Sequence, residues 1–342
     1  MKSLVKQVFR KAIWPAAYSL GLERLFARRG NKQCAILCYH GVAPEVSYPF
    51  NGRHIDQRTF ERHLIYFKQH FQVESLAEVF DRHREGRTPD KPTVAITFDD
   101  GYWNNYRYAL PLLNQYECPA SFFVSGIAAE KVGEGSILWP DYIDLVRDAV
   151  GQQGFAYDGY SFQKVGDLGF ADPARSMDGY TYIKHLGLKE RENMFAQIEQ
   201  QLPEVQLRQQ AASVYQQIMT AEQIHEAAQS PFIEIGGHGH RHYNLAFIPR
   251  AEARTELLLS KQALEAVTGK PVRSIAFPDG NYDAAVKDIA SELGYEHMLA
   301  EQYLFPEDEA DPRILPRISI SGTTNFYSHV VYINQQFRKV GF

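Results

Sequence analysis

Thr93-Val94-Ala95-Ile96-Thr97-Phe98-Asp99-Asp100-Gly101 is the stretch on which the reading of the whole chain turns. It is rich in β-branched and aromatic residues, too short for a helix and stopped by a turn pattern, which predicts a buried strand ending on two adjacent carboxylates. In parallel α/β sheets, ligands bind at the carboxyl ends of strands, where the strand-to-helix loops carry no packing duty. Side chains alternate about a strand, so the two carboxylates are expected to face different ways, one binding a cation and the other handling a proton. Asp-Gly after a strand is also an ordinary turn, and this stretch alone leaves both readings open.

Working outward, short apolar runs at 34–39, 120–124, 232–235, 274–277, 297–300 and 317–320 predict further strands. Between them lie helical patterns. One starts at Thr59 with Phe60, Leu64, Phe67 and Phe71 at helical spacing, and a second is capped by Ser75. Others are expected over 104–116 despite Pro111, over 250–268 closed by Gly269, and over 283–293 closed by Gly294. Helices separating strands imply parallel pairing by right-handed crossovers, and about seven strands suffice to close a barrel. Residues 126–231 show no clear strand alternation and read as a large, partly helical insertion over the strand ends.

The 342 residues, 44% hydrophobic and 13% aromatic, can bury a large core as one barrel or two smaller domains. A net charge of −5 with mixed signs gives no reason to expect nucleic acid as a partner. Cys34, Cys38 and Cys118 show neither disulfide-framework nor zinc-finger spacing, which favours a reducing compartment and core positions. No apolar run is long enough to span a bilayer as a helix.

Residues 1–33 carry Lys2, Lys6, Arg10, Lys11, Arg24, Arg28, Arg29 and Lys32 against Glu23 alone. Arg10 and Lys11 break the apolar core that a secretion signal needs. Leu4, Val5, Val8, Phe9, Ile13, Trp14 and Tyr18 interleave with these cations. The segment therefore suits either an anionic membrane surface or a basic helix packed on the protein itself. The expectation is a cytoplasmic protein, with peripheral contact at the inner membrane as one of the two readings of this segment.

The second cluster follows the strand near 232: Gly236-Gly237-His238-Gly239-His240-Arg241-His242. His238 and His242, four apart, can face one ion if a helical turn starts there, while His240 should point elsewhere. Two histidines and one carboxylate at the ends of buried strands give three ligands and an open position for water, the stoichiometry of a catalytic metal site.

Thr97-Phe98-Asp99-Asp100-Gly101 together with His238-x-x-x-His242 closely resembles the polysaccharide deacetylase family, carbohydrate esterase family 4, with its NodB homology domain. The resemblance covers about residues 34–322 outside most of the insertion. It implies an α/β fold, a distorted (β/α)7 barrel of the NodB type with a large insertion, residues 34–342 forming the deacetylase barrel. It also implies a divalent metal, zinc first with nickel, cobalt or iron as alternatives. Asp99 would be the general base and Asp100, His238 and His242 the metal ligands, with the backbone N–H of Tyr102 at the oxyanion. The implied substrate is an N-acetylated amino-sugar glycan, and the basic N-terminus suits a lipid-linked form. A deformylase or other small C–N amide hydrolase, or a non-catalytic glycan-binding module, are the alternatives.

The sequence departs from the family at two places. Ala276-Phe277-Pro278-Asp279-Gly280 lacks the Arg expected before a Pro-Tyr-Gly motif, and Arg317 is the substitute candidate, alongside the reading of a structural ion pair. The C-terminal Leu-x-His is also absent. Leu37-Cys38-Tyr39-His40 resembles the Tyr-His motif that opens the domain in one branch of the family, which makes His40 the candidate general acid. His329 is a weaker candidate. Trp139 could stack on a sugar ring, or belong to the core.

Overall fold

In the computed structural model, which describes residues 12–22, 34–45, 52–130, 137–150, 154–166, 169–205 and 214–338, the Thr93 stretch is the second strand of a closed parallel barrel. Its seven strands are β1 (Cys34–Tyr39), β2 (Thr93–Phe98), β3 (Ala120–Val124), β4 (Ile233–Gly237), β5 (Ser274–Ala276), β6 (His297–Ala300) and β7 (Ile314–Ser319). They neighbour one another in chain order, every pair parallel, and β7 returns to β1 to close the ring. The ring is thinnest between β4 and β5, which are joined only at Gly237 and Ile275. β7 begins before the expected 317. Pro316 disguises the run because it has no N–H to donate, yet Ile314 to Pro316 align with Met298 to Ala300.

Helices alternate with these strands: α1 (Trp14–Ser19), α2 (Gln57–His70), α3 (Leu76–Arg84), α4 (Leu110–Gln115), α5 (Trp139–Ala149), α6 (Gly179–Lys184), α7 (Leu188–Gln201), α8 (Ala221–Gln229), α9 (Arg250–Thr268), α10 (Ala284–Glu292) and α11 (Phe326–Arg338). Local chemistry sets their ends. Ser75 caps α3 in a capping box, Glu78 N–H donating to Ser75 Oγ at 3.3 Å and Ser75 N–H to Glu78 Oε2 at 2.8 Å. The helix expected over 104–116 is broken into a wide π turn at Asn105–Ala109 followed by α4. Pro111 has no N–H for the carbonyl one turn back, and the wider turn absorbs that missing bond.

Strand alternation sorts two cores. Ile36, Ala95, Phe123, Ala276 and Leu299 fill the barrel with Leu76, Val79 and Phe80 of α3. Phe80 stacks on His297 at 4.6 Å, at the start of β6, so α3 plugs the amino end of the barrel. Leu37, Ile96, Phe122, Ile235 and Met298 face outward into the layer beneath the helices. With one end plugged by apolar side chains, polar groups at strand ends collect at the carboxyl rim.

The insertion has its own core of Trp139, Ile143, Val146, Phe155, Phe162, Ile183, Met194 and Ile198 among others. It holds more strand than its sequence suggested: a four-stranded antiparallel sheet formed by 155–157, 160–165, 169–172 and 177–178. Asp158 and Gly159, with φ of +49° and +73°, form the two-residue hairpin turn that needs positive φ at both positions.

Tyr18 of α1 packs on Tyr66, Phe326 and Tyr327 with ring centroids 6.0, 5.3 and 5.5 Å away. Leu4, Val5, Val8, Phe9 and the eight cations of the N-terminal segment lie outside the described residues. Among the described residues no helix is long and apolar enough to cross a membrane.

Phe122 is 1% exposed and meets Phe98 edge-on at 5.2 Å. Phe122→Ala should destabilise the protein by about 3–5 kcal/mol in urea denaturation, the usual cost of emptying such a site. A loss under about 1 kcal/mol would contradict this account of the barrel core.

Candidate active site

The two carboxylates leave β2 in different conformations. Asp99 continues the strand, its N–H donating to Tyr39 O at 2.9 Å, and so keeps the inward phase of Ala95 and Thr97. Arg317, inward on β7, donates to both of its oxygens at 2.6 Å. Cys38 Sγ–H donates to Oδ2 at 3.4 Å. Burial would raise the Asp99 pKa, but the Arg317 guanidinium together with His238 outweighs it and lowers the carboxyl to about 2.

Asp100 then turns into the left-handed region with φ +73°, followed by Gly101 at +80°. A Cβ at Gly101 would lie 2.7 Å from Val124 Cγ1, so conformation and space both demand glycine. This turn carries the second carboxylate back over the same rim instead of out to the opposite face. His242 and Asp279 are also left-handed non-glycine residues, at +57° and +59°, and both line the same cavity. Such backbone strain gathers where a site needs it.

Asp100 Oδ1 lies 3.4 Å from His238 Nε2 and 3.1 Å from His242 Nε2. His238 follows β4, and its Nδ1 is 2.8 Å from Ala276 O. A carbonyl only accepts, so Nδ1 carries the hydrogen and Nε2 is left to take a proton or a cation. Burial lowers the His238 pKa, but Asp99 and Asp100 more than offset it and favour positive charge there. Burial likewise raises Asp100, while the two imidazoles hold it well below the usual carboxylate range. No helical turn brings His242 round. The chain leaves β4 as an irregular loop, and Trp139 Nε1–H donates to His242 O at 2.6 Å, holding the left-handed residue.

The donor set fits a divalent cation. The ligand atoms of Asp100, His238 and His242 lie within 4.8 Å of one another, all buried, and Asp100 Oδ1 has no hydrogen-bond donor. An oxygen and two imidazole nitrogens suit zinc and its neighbours in the first transition row.

The cavity around them, of about 210 Å³, is also lined by Cys38, His40, Arg53, Pro140, Tyr180, Lys184, Asp279, Glu301 and Arg317. His40 stands half-buried at the end of β1, its pKa lowered by burial against the pull of Asp100 and Asp99. Arg53 bridges to the insertion through Asp141 at 2.8 Å and Asp144 at 2.5 Å. Lys184 pairs with Asp279 at 3.0 Å.

The side chains of the other candidates from the sequence do not line this cavity. The Tyr102 side chain is buried, donating to Asp141 at 3.0 Å, and its backbone is pinned by Met219 N–H to Gly101 O and Trp103 N–H to Gln217 O. Trp139 does not line this cavity. It is 7% exposed, stacked on Tyr180 at 5.5 Å with the Arg191 guanidinium 4.3 Å over its ring, so Tyr180 is the aromatic wall. His329 is buried away from the site, between His63 Nε2 at 3.2 Å and Ser321 O at 2.8 Å. His240 turns aside, its Nε2 2.9 Å from Glu130.

Arg53, Tyr180, Lys184, Asp279 and Glu301 were not read from the sequence. Glu301 directly follows the strand ending at Ala300 and carries the same mark as Asp99, a carboxylate at a strand end. Arg53, Tyr180 and Lys184 come from a loop and the insertion, where no periodicity points to the rim.

The rim therefore defines a barrel protein with a candidate metal centre flanked by an arginine-paired carboxylate. The chain belongs to the polysaccharide deacetylase family, whose sequence profile matches residues 86–159 and 191–298, more than half of the chain. YxkH of Bacillus subtilis (strain 168), named for the same family, is 30% identical over 92 residues, spanning 27% of this chain and 31% of that relative. The deacetylase PplD of Streptococcus pyogenes, solved with acetate, superposes with a TM-score of 0.56 at 17% identity, over 87% of this chain and 96% of that one. IcaB from Ammonifex degensii gives 0.54 at 18% identity, over 90% and 97%. Likeness at these identities bears on the fold, which is the (β/α)7 barrel of those structures.

Trp139→Phe keeps an aromatic ring and removes the indole N–H from His242 O. Cation affinity, measured by competition with a chelator, should fall about 10–100-fold, as when an outer partner of a metal ligand is lost. An unchanged affinity would show that His242 holds its place without this bond.

Proposed function

We propose that the protein is a metal-dependent hydrolase that removes N-acetyl groups from an amino sugar in a cell-surface polysaccharide or its precursor. The observation that carries this reading is the buried Asp100 oxygen, without a donor between two imidazole nitrogens, beside a second carboxylate held by an arginine. A divalent cation held by Asp100, His238 and His242, zinc first among zinc, nickel, cobalt and iron, would acidify a water and polarise the acetyl oxygen.

The chain's own groups supply the proton movements. Arg317 keeps Asp99 ionised and oriented, ready to accept the proton of the attacking water. So low a pKa makes Asp99 a weak base, sufficient only because the water is already acidified. His40, whose imidazole nitrogen lies within 4.8 Å of the nearest Asp99 oxygen, delivers a proton to the departing amine. Because burial disfavours its charged form, His40 takes that proton over from Asp99, which received it from the attacking water, and passes it on to the amine. The Tyr102 N–H donates to the acyl oxygen as it gains charge, and Tyr180 offers its ring to the sugar. The basic residues 1–33 support a lipid-linked or membrane-proximal precursor as substrate.

Acetate release from a panel of soluble and lipid-linked N-acetylated glycans tests this. Asp99→Asn should retain bound metal and lose about 10²–10⁴ in rate, the usual share of a proton-transfer group. Asp100→Asn should lose metal and rate together. Undiminished release after chelation, or none from any glycan by the metal-loaded protein, would overturn the reading.

A further inference from the structure

The rim holds a second group of donors that the proposed reaction does not use as ligands. Cys38 and His40 end β1, Asp99 follows β2, and their donor atoms lie within 4.8 Å of one another. β1 and β2 are paired in register there, Cys38 with Thr97 and Tyr39 with Phe98, so the geometry is set by the sheet itself. All three side chains line the cavity and can be reached from it.

We propose that Cys38, His40 and Asp99 form a second, weaker site for a thiophilic divalent cation of the zinc, cadmium or cobalt kind, and that filling it stops hydrolysis. The Cys38 Sγ–H now points at Asp99 Oδ2 from 3.4 Å, and its hydrogen stands where the cation would sit. Binding breaks that S–H bond, releases the proton to solvent and forms a sulfur–metal bond, with the lone pairs of His40 and Asp99 completing the set. Arg317 does not bar this. A carboxylate offers about four lone-pair sites, and Oδ2 can keep the guanidinium while it binds a metal. Thiolate and imidazole select zinc-like ions over magnesium or calcium, which prefer oxygen.

Charge makes the site the weaker of the two. A cation here faces both Arg317 and the Asp100 centre. One net positive charge opposing another within the same cavity, at an effective dielectric near 20, weakens binding on the order of 100-fold. The site should therefore stay empty at limiting metal and fill in excess. The inhibition rests on the roles proposed above for Asp99 and His40, whereas the binding does not.

Metal-stripped full-length protein titrated with cobalt(II), followed by dialysis and absorption, tests both. The first equivalent, on oxygen and nitrogen, should give only weak visible bands. A second, needing on the order of 100-fold more free cobalt, should bring an intense thiolate-to-cobalt band in the near ultraviolet as acetate release falls. Cys38→Ser should abolish that band and the second equivalent while the first still binds. His40→Gln should weaken the second alone, which guards against a misfolded serine variant. A thiolate band that survives in Cys38→Ser, or uptake of a single equivalent at every concentration, would overturn the site. Loss of the first equivalent's binding to Asp100 variants concerns the main centre, so its failure to appear would count against the hydrolase reading and not against this one.

Discussion

An ionised carboxylate that has left water needs a partner of opposite charge, or several kcal/mol go uncompensated. Asp100 is 4% exposed and its Oδ1 has no hydrogen-bond donor, although two imidazoles crowd it. Its neighbour Asp99 meets the same demand in another way, through two bonds from Arg317. Two adjacent carboxylates in one low-dielectric cavity can both stay ionised only because their counter-charges differ in kind. One is a guanidinium fixed by the fold, and the other is a pair of imidazoles that with Asp100 could hold a cation.

The scaffold serves that separation. Inward alternation along β2 delivers Asp99 to the level of Arg317, and the left-handed turn at Asp100 delivers the next carboxylate to the histidines. The plug of α3 and the apolar layer around Phe123 keep the far end of the barrel dry, so polar side chains can gather only at one rim. The insertion is part of the same device. Trp139 holds the carbonyl of His242, and the Arg53–Asp141 pair ties the start of α5 to the rim. Tyr102 donates to the same Asp141.

Legibility in the sequence followed the range of the interactions involved. The seven barrel strands and the helices at 57–70, 76–84 and 250–268 show as apolar period and capping residues, which are local. Asp99, Asp100, His238, His242, His40 and Arg317, picked from motifs at strand ends, line one cavity. What stayed hidden depended on the tertiary fold. Nothing local announces that Arg53 and Lys184 reach the rim, and the indole of Trp139 reads the same whether it faces a sugar or a backbone carbonyl. The hairpin of the insertion is a different case. Asp158-Gly159 between Phe155-Ala156-Tyr157 and Tyr160-Ser161-Phe162 is a strong turn pattern, lost amid the glycines around it.

The claim beneath all of this is that three side chains from two strand ends surround one divalent ion and leave it an open position. Anomalous diffraction from crystals grown with limiting zinc addresses it directly. The account predicts one strong peak about 2.0–2.2 Å from an Asp100 oxygen, His238 Nε2 and His242 Nε2, with no fourth protein ligand. A peak centred elsewhere at limiting zinc, or a fourth protein side chain closing the coordination, would contradict it.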